Sequence, residues 1–199
     1  QGLFDAMSFK HLQYDDLSMQ VTTISHSEDM SESFPAKTMS SHVTNWNRNT
    51  SVKFRTDVCS SCKLGFDIDL KSLSAEEYQF VKQAVSNYDL MKPVIFDGDL
   101  YRLVSPYEGN HCAINYVSKD QQRAVLFAFD LHPRYMEPLT NVRLQGLDPD
   151  RVYTVRETNL MPGKKSELTC DGKQYSGDYL MKVGLSVFTP RTGNSHVLI

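Results

Sequence analysis

Residues 113–131 read AINYV, SKDQQ and RAVLFAFDL, two β-rich apolar runs separated by a polar stretch of turn-forming residues. β-Branched and aromatic side chains suit a pleated, half-buried surface, and a short polar break between two such runs predicts an antiparallel hairpin. Tyr116, Phe127 and Phe129 alternate or pair as core-face residues of that hairpin, and Tyr101 does the same on the run before it. On either side, YRLV (101–104), VRL (142–144), VYTVR (152–156) and SHVLI (195–199) are further β-rich runs, separated by Gly, Pro, Asp, Asn and Ser. VRL and VYTVR flank GLDPD, which predicts a second hairpin. Short strands that recur without intervening helices make 93–199 an antiparallel β-sandwich, so the chain is mainly β.

Upstream the periodicity changes. Ser74 is placed to cap a helix, with Glu77 closing a capping box and Leu73 stapled against Tyr78. Tyr78, Val81, Val85 and Tyr88 recur at helical spacing, and Pro93 breaks the pattern, so a helix is expected over about 75–91 within a connecting segment 51–92. Residues 1–50 are rich in Ser, Thr, Met and His, with little periodicity, and read as irregular. The 199 residues suffice for one domain and a fragment of another. A net charge of -3 with interspersed signs offers no stripe for a phosphate backbone, and no apolar run is long enough to span a bilayer, so neither nucleic acid nor membrane is an expected partner. The sequence carries no address for a cellular compartment.

From residue 34 onward the phrases FPAKTMSSHVTNWN, VKFRTDVCSSCKLGFDIDL, GDLYRLVSPYEGNH, VRLQGLDP, NLMPGKKS and YSGDYLMKVGL resemble, in order and spacing, the C-terminal part of glycoside hydrolase family 36. Members of that family are chiefly α-galactosidases. The resemblance implies an antiparallel β-sandwich preceded by a short α or irregular remnant of the end of a (β/α)8 barrel, which residues 1–50 would supply. It also implies a retaining reaction on terminal α-galactosides, in which one aspartate attacks the anomeric carbon and another serves as acid and then base. The family's nucleophile lies in a Lys-Trp-Asp-type strand end, and no such motif occurs among these residues. The chain alone is therefore expected to be inactive, its sandwich supporting a catalytic barrel completed by the rest of the polypeptide or a partner chain. Without that partner it would expose apolar surface and self-associate as a homo-oligomer. A non-catalytic carbohydrate-binding or structural β-sandwich is the alternative.

By its distance before Phe34-Pro35, Asp16 falls where the resemblance puts the acid/base, although Asp15 and Leu17 replace the Ser and Asn that flank it in the family. His42 and Trp46, in SSHVTNWN, are residue types that donate to hydroxyls or stack on a pyranose face, and are the candidate substrate contacts. Cys59 and Cys62 form a CxxC without a second pair; only Cys112, beside His111, could complete a metal set. The flanks of CSSC read as strand, and structural thiols or one disulfide are expected rather than a metal or other cofactor.

Overall fold

The computed structural model describes residues 38–44 and 50–199, so Asp16, Trp46 and nearly all of the segment read as irregular lie outside the described residues. The described chain opens with strand β1 (Ser40–Thr44), helix α1 (Val52–Ser60), strand β2 (Lys63–Asp67) and helix α2 (Ala75–Asp97). β1 and β2 pair in parallel, Ser40 opposite Lys63 and Thr44 opposite Asp67, with α1 in the crossover that a parallel pair requires. Ser51 caps α1 by accepting from the Phe54 backbone N–H at 3.1 Å. All but one of its residues are buried, including Arg55, Thr56, Asp57 and Ser60.

Strands β3 (Asp99–Val104), β4 (His111–Val117), β5 (Ala124–Asp130), β7 (Glu157–Thr158) and β9 (Asn194–Leu198) form an antiparallel sheet in the order β3-β4-β5-β9-β7. β6 (Val152–Thr154) pairs separately with β8 (Gln174–Ser176), which runs into helix α3 (Gly177–Lys182). The central strands are covered on both faces. Cys112, Ile114, Tyr116, Phe127, Phe129 and Val197 pack against Tyr88, Met91, Val94 and Ile95 of α2 and against Phe54 and Val58 of α1. Their alternating neighbours Ala113, Val117, Leu126, Ala128 and Leu198 bury Leu144, Leu147, Val155, Leu180 and Leu185 on the other side. This double burial explains why the two runs of the hairpin are almost continuously apolar instead of alternating with polar residues.

The expected β4–β5 hairpin forms, with Val117 opposite Ala124. α2 starts as its sequence indicates: Ser74 Oγ accepts from Glu77 N–H, and Glu77 accepts from Ser74 N–H at 2.8 Å. Replacing Ser74 with Ala is expected to cost about 1 kcal/mol, read as a small fall in the urea midpoint. An unchanged midpoint would mean that tertiary packing alone holds this end.

Four expectations are corrected. α2 runs through Pro93 to Asp97, because Pro93 is exposed on the helix while Met91, Val94 and Ile95 on either side are packed into the core. The lost backbone donor leaves the Asp89 carbonyl to solvent, and the packing outweighs it. The buried stripe also differs from the one read by spacing: Val81 and Tyr88 are buried, but Tyr78 and Val85 are 43% and 40% exposed, and Phe80, Ala84 and Met91 take the core positions. Finally, VRL does not pair with VYTVR. Val142 bridges Leu185, while β6 pairs with β8, and Gly177 lets β8 close in: a Cβ there would sit 2.0 Å from the Asp148 carbonyl oxygen. The connecting segment holds α1 as well as α2, and CSSC lies at the end of α1, not in a strand.

Candidate functional site

In sheets built from βαβ units, side chains at the carboxyl ends of parallel strands are the ones offered to a ligand. Here that edge carries Thr44 and Asp67 side by side. His42 stands two residues back, exposed, directly opposite Gly65. Its imidazole lies over that glycine so closely that a Cβ on Gly65 would come within 1.9 Å of the His42 Cδ2. Gly65 therefore fixes how His42 is presented, and any larger residue would displace the ring. Asp67 is exposed at the same edge, and sequence reasoning did not single it out. The signal was present in DIDL following Gly65-Phe66, but the run reads equally as a solvated turn. Arg55 steadies the edge from below, its guanidinium donating to the Thr44 carbonyl at 2.6 Å. Of the residues expected at the site, the structure thus places His42 opposite Gly65, two residues before Asp67; Asp16 and Trp46 lie outside the described residues.

A buried polar junction ties this unit to the large sheet. The Asp57 carboxylate, fully buried in α1, accepts from Lys53 Nζ at 2.6 Å, Ser195 Oγ at 2.7 Å and Asn159 Nδ2 at 2.8 Å. Lys53 also donates to the Ser195 carbonyl at 2.6 Å, and Asn87 of α2 donates to the Asn159 side chain at 2.8 Å. One carboxylate therefore joins α1 and β9 to the loop after β7 and, through Asn159, to α2. Two tyrosines add to the clamp: Tyr116 donates to the Ser61 carbonyl at 2.7 Å, and Tyr88 to the Cys62 carbonyl at 2.8 Å. Burial pushes the phenols of both Tyr88 and Tyr116 upward, so they remain donors.

A second cluster sits on the sheet itself. His196 Nδ1 lies 2.5 Å from Glu157 Oε1 and its Nε2 2.9 Å from Asn194 Nδ2, an arrangement satisfied when Nδ1 carries the proton and Nε2 accepts. Burial tends to raise the Glu157 pKa, but hydrogen bonds from His196 and Ser166, with the positive charge of Lys53, outweigh it and hold the carboxyl below its ordinary 4.5. A carboxylate with a lowered folded pKa stabilises above its unfolded pKa and loses that contribution as pH falls through the folded one. Urea unfolding should accordingly show the protein losing stability below about pH 4.5 more steeply than Glu157→Gln. Parallel profiles for the two would contradict this.

The four cysteines are free and buried. Desolvation pushes the Cys59 thiol up to about 12 against a hydrogen bond from Ser41, and burial drives Cys62 upward as well. Both sulfurs are thus held as thiols, unsuited to nucleophilic attack at neutral pH.

Residues 111–199 match the family model described as the glycosyl hydrolase family 36 C-terminal domain. Over 159 residues the chain is 32% identical to a probable α-galactosidase G of Aspergillus terreus, covering 76% of this chain and 20% of that protein. It is 30% identical to the α-galactosidase AgaA of Geobacillus stearothermophilus, covering 77% of this chain and 20% of the relative. The chain spans about a fifth of the length of these curated relatives. Among solved structures, the GH36 α-galactosidase AgaB of Geobacillus stearothermophilus superposes with a TM-score of 0.74 at 29% identity, over 90% of this chain and 24% of that one. An AgaA variant from the same organism, solved with raffinose, gives 0.76 at 27% identity over the same shares. Together these matches place this chain in glycoside hydrolase family 36, with residues 111–199 matching that family's C-terminal domain.

Proposed function

We propose that the chain is the C-terminal portion of a retaining α-galactosidase acting on terminal α-galactosides, and that its sandwich holds the end of the catalytic barrel in place. The observation that carries this reading is the Asp57 junction, which fastens a parallel β1–α1–β2 unit to the antiparallel sheet. A parallel pair with a helical crossover is the repeating unit of a (β/α)8 barrel, and α2, following β2, continues that alternation. On this reading the barrel portion extends past the expected 1–50 to Asp97, through β1, α1, β2 and α2, and the sandwich starts at β3. The exposed edge with His42 and Asp67 would face the sugar, Trp46 would stack on it, and Asp16 would act as acid and base.

Nucleophile and acid/base must flank one glycosidic bond, and no Lys-Trp-Asp-type strand end occurs among these residues. The purified chain should therefore fail to release nitrophenol from p-nitrophenyl α-galactoside. Turnover that disappears in Asp16→Asn would overturn the assignment of this chain to a supporting portion.

A further inference from the structure

β9 opens with polar side chains on both faces of the sheet. Ser195 points to the α1 side, where its hydroxyl donates to Asp57 at 2.7 Å and its carbonyl accepts from Lys53 at 2.6 Å. Asn194 and His196 flank it in the chain and so point to the opposite face, opposite Asp130 and Ala128 of β5. On that face two histidine–carboxylate pairs lie within one hydrogen-bonded chain. His111 Nδ1 is 2.9 Å from Asp130 Oδ1, and His196 Nδ1 is 2.5 Å from Glu157 Oε1. Asn194 joins them, its Nδ2 lying 2.9 Å from His196 Nε2, 3.0 Å from Thr189 Oγ1 and 3.4 Å from Asp130 Oδ2. Thr189 donates to the same carboxylate oxygen through its backbone N–H at 3.0 Å and its hydroxyl at 2.5 Å. All four titratable side chains are at most 9% exposed.

The two pairs respond differently to a proton. On neutral His111 it adds to Nε2, which has no hydrogen-bond partner among the described residues, so the bond to Asp130 is kept and becomes charge-assisted. On His196 it adds to the Nε2 that accepts from Asn194, and an imidazolium has no acceptor left. To accept from the new N–H, the Asn194 amide must turn over. Its oxygen would then face the Asp130 carboxylate and Thr189 Oγ1, whose proton is already given to Asp130, so Asn194 lets go of both. The charged and titratable groups around His196 are Glu157 on β7, Asp130 on β5, His111 on β4, and Lys53 of α1, whose charge reaches Glu157. Cys170 and Asp171 lie beyond Glu157, the Asp171 carboxylate accepting from the Glu157 backbone N–H at 2.8 Å. Arg191, between Thr189 and Asn194, pairs with Glu167 at the surface.

We propose that His196 and Asn194 form a proton-operated latch on β9: with His196 neutral, Asn194 holds the start of β9 to Thr189 and Asp130 and keeps Ser195 seated on Asp57, and proton uptake at His196 releases Asn194 and loosens α1 from the sheet. The latch acts on the attachment of the β1–α1–β2 unit, whatever reaction the whole protein carries out.

The test uses the whole chain with isotopically labelled nitrogen, followed by NMR between about pH 8 and 5.5, where imidazoles as a class titrate, above the range in which Glu157 gains its proton. As the pH falls, the His196 Nε2 resonance should move to its protonated position together with the Asn194 side-chain amide. Protection of the α1 and β9 amides, corrected for the intrinsic exchange rate, should drop about tenfold over the same range. His196→Gln, whose amide keeps a donor and an acceptor but takes up no proton, should hold its protection constant, whereas His111→Asn should leave the drop in place. If a variant does not fold, the resonances of the unsubstituted chain still test the latch. A His196 that stays in one protonation state, a titration without movement of Asn194, unchanged protection in α1 and β9, an equal drop in His196→Gln, or its disappearance in His111→Asn would each overturn the proposal.

Discussion

Asp57→Ala is expected to be among the most damaging single changes in this protein, lowering its stability by about 3–5 kcal/mol. The carboxylate is fully buried and has three side-chain partners, of which Lys53 is 15% exposed. Removing it leaves a hydroxyl and an amide without their acceptor and the Lys53 ammonium without its counter-charge, and each unmatched buried group retains its desolvation cost. Because these partners belong to α1, β9 and the loop after β7, the loss should also loosen the βαβ unit from the sheet instead of only softening one helix. Urea unfolding with native-state amide exchange separates the two effects. A change below about 1 kcal/mol, with exchange in α1 and β9 unaltered, would mean that apolar packing alone holds the junction.

Phe127→Ala should cost a similar amount, about 3–5 kcal/mol, through the lost transfer energy and the cavity left behind. Phe127 is fully buried in the middle of β5, with its ring edge-on to Tyr116 at 6.3 Å and stacked against Phe129 at 6.4 Å. With strands paired on both sides of β5 and α2 packed over this face, the site has little room to collapse. Tyr78→Ala is the informative contrast. Tyr78 lies on the stripe expected from helical spacing, yet it is 43% exposed, so its loss should fall within about 0.5 kcal/mol of neutral. Equal costs for the two variants would mean that α2 packs on the sheet by a different face.

That contrast shows where sequence reasoning worked. The β4–β5 hairpin and the start of α2 rest on neighbouring residues, the polar SKDQQ break and the Ser74–Glu77 box, and such signals can be read from the chain alone. The end of α2 depends on whether Pro93 faces solvent or core, and the partner of VYTVR depends on how closely Gly177 lets β8 approach; both are decided by packing between distant segments. α1 escaped notice because Arg55, Thr56, Asp57 and Ser60 are buried by tertiary contacts, so no amphipathic stripe marks it. The site was legible only in part. His42 could be picked out as a residue type, but its place over Gly65, on the strand paired with the one that ends in Asp67, follows from the parallel register of β1 and β2, which no local pattern specifies. The Asp57 junction was invisible for the same reason: Asp57 and Ser195 are 138 residues apart.

The most direct measurement is made on a chimera. Residues 38–199 of this chain replace the matching C-terminal region of the Geobacillus stearothermophilus α-galactosidase AgaA, and hydrolysis of p-nitrophenyl α-galactoside is followed beside an AgaA truncated at the same point. If the chain supports an α-galactosidase barrel, the chimera turns over substrate, the truncation does not, and Asp57→Ala within the chimera shortens its half-life on heating. A chimera as inactive as the truncation would contradict the claim that this chain completes and holds such a barrel.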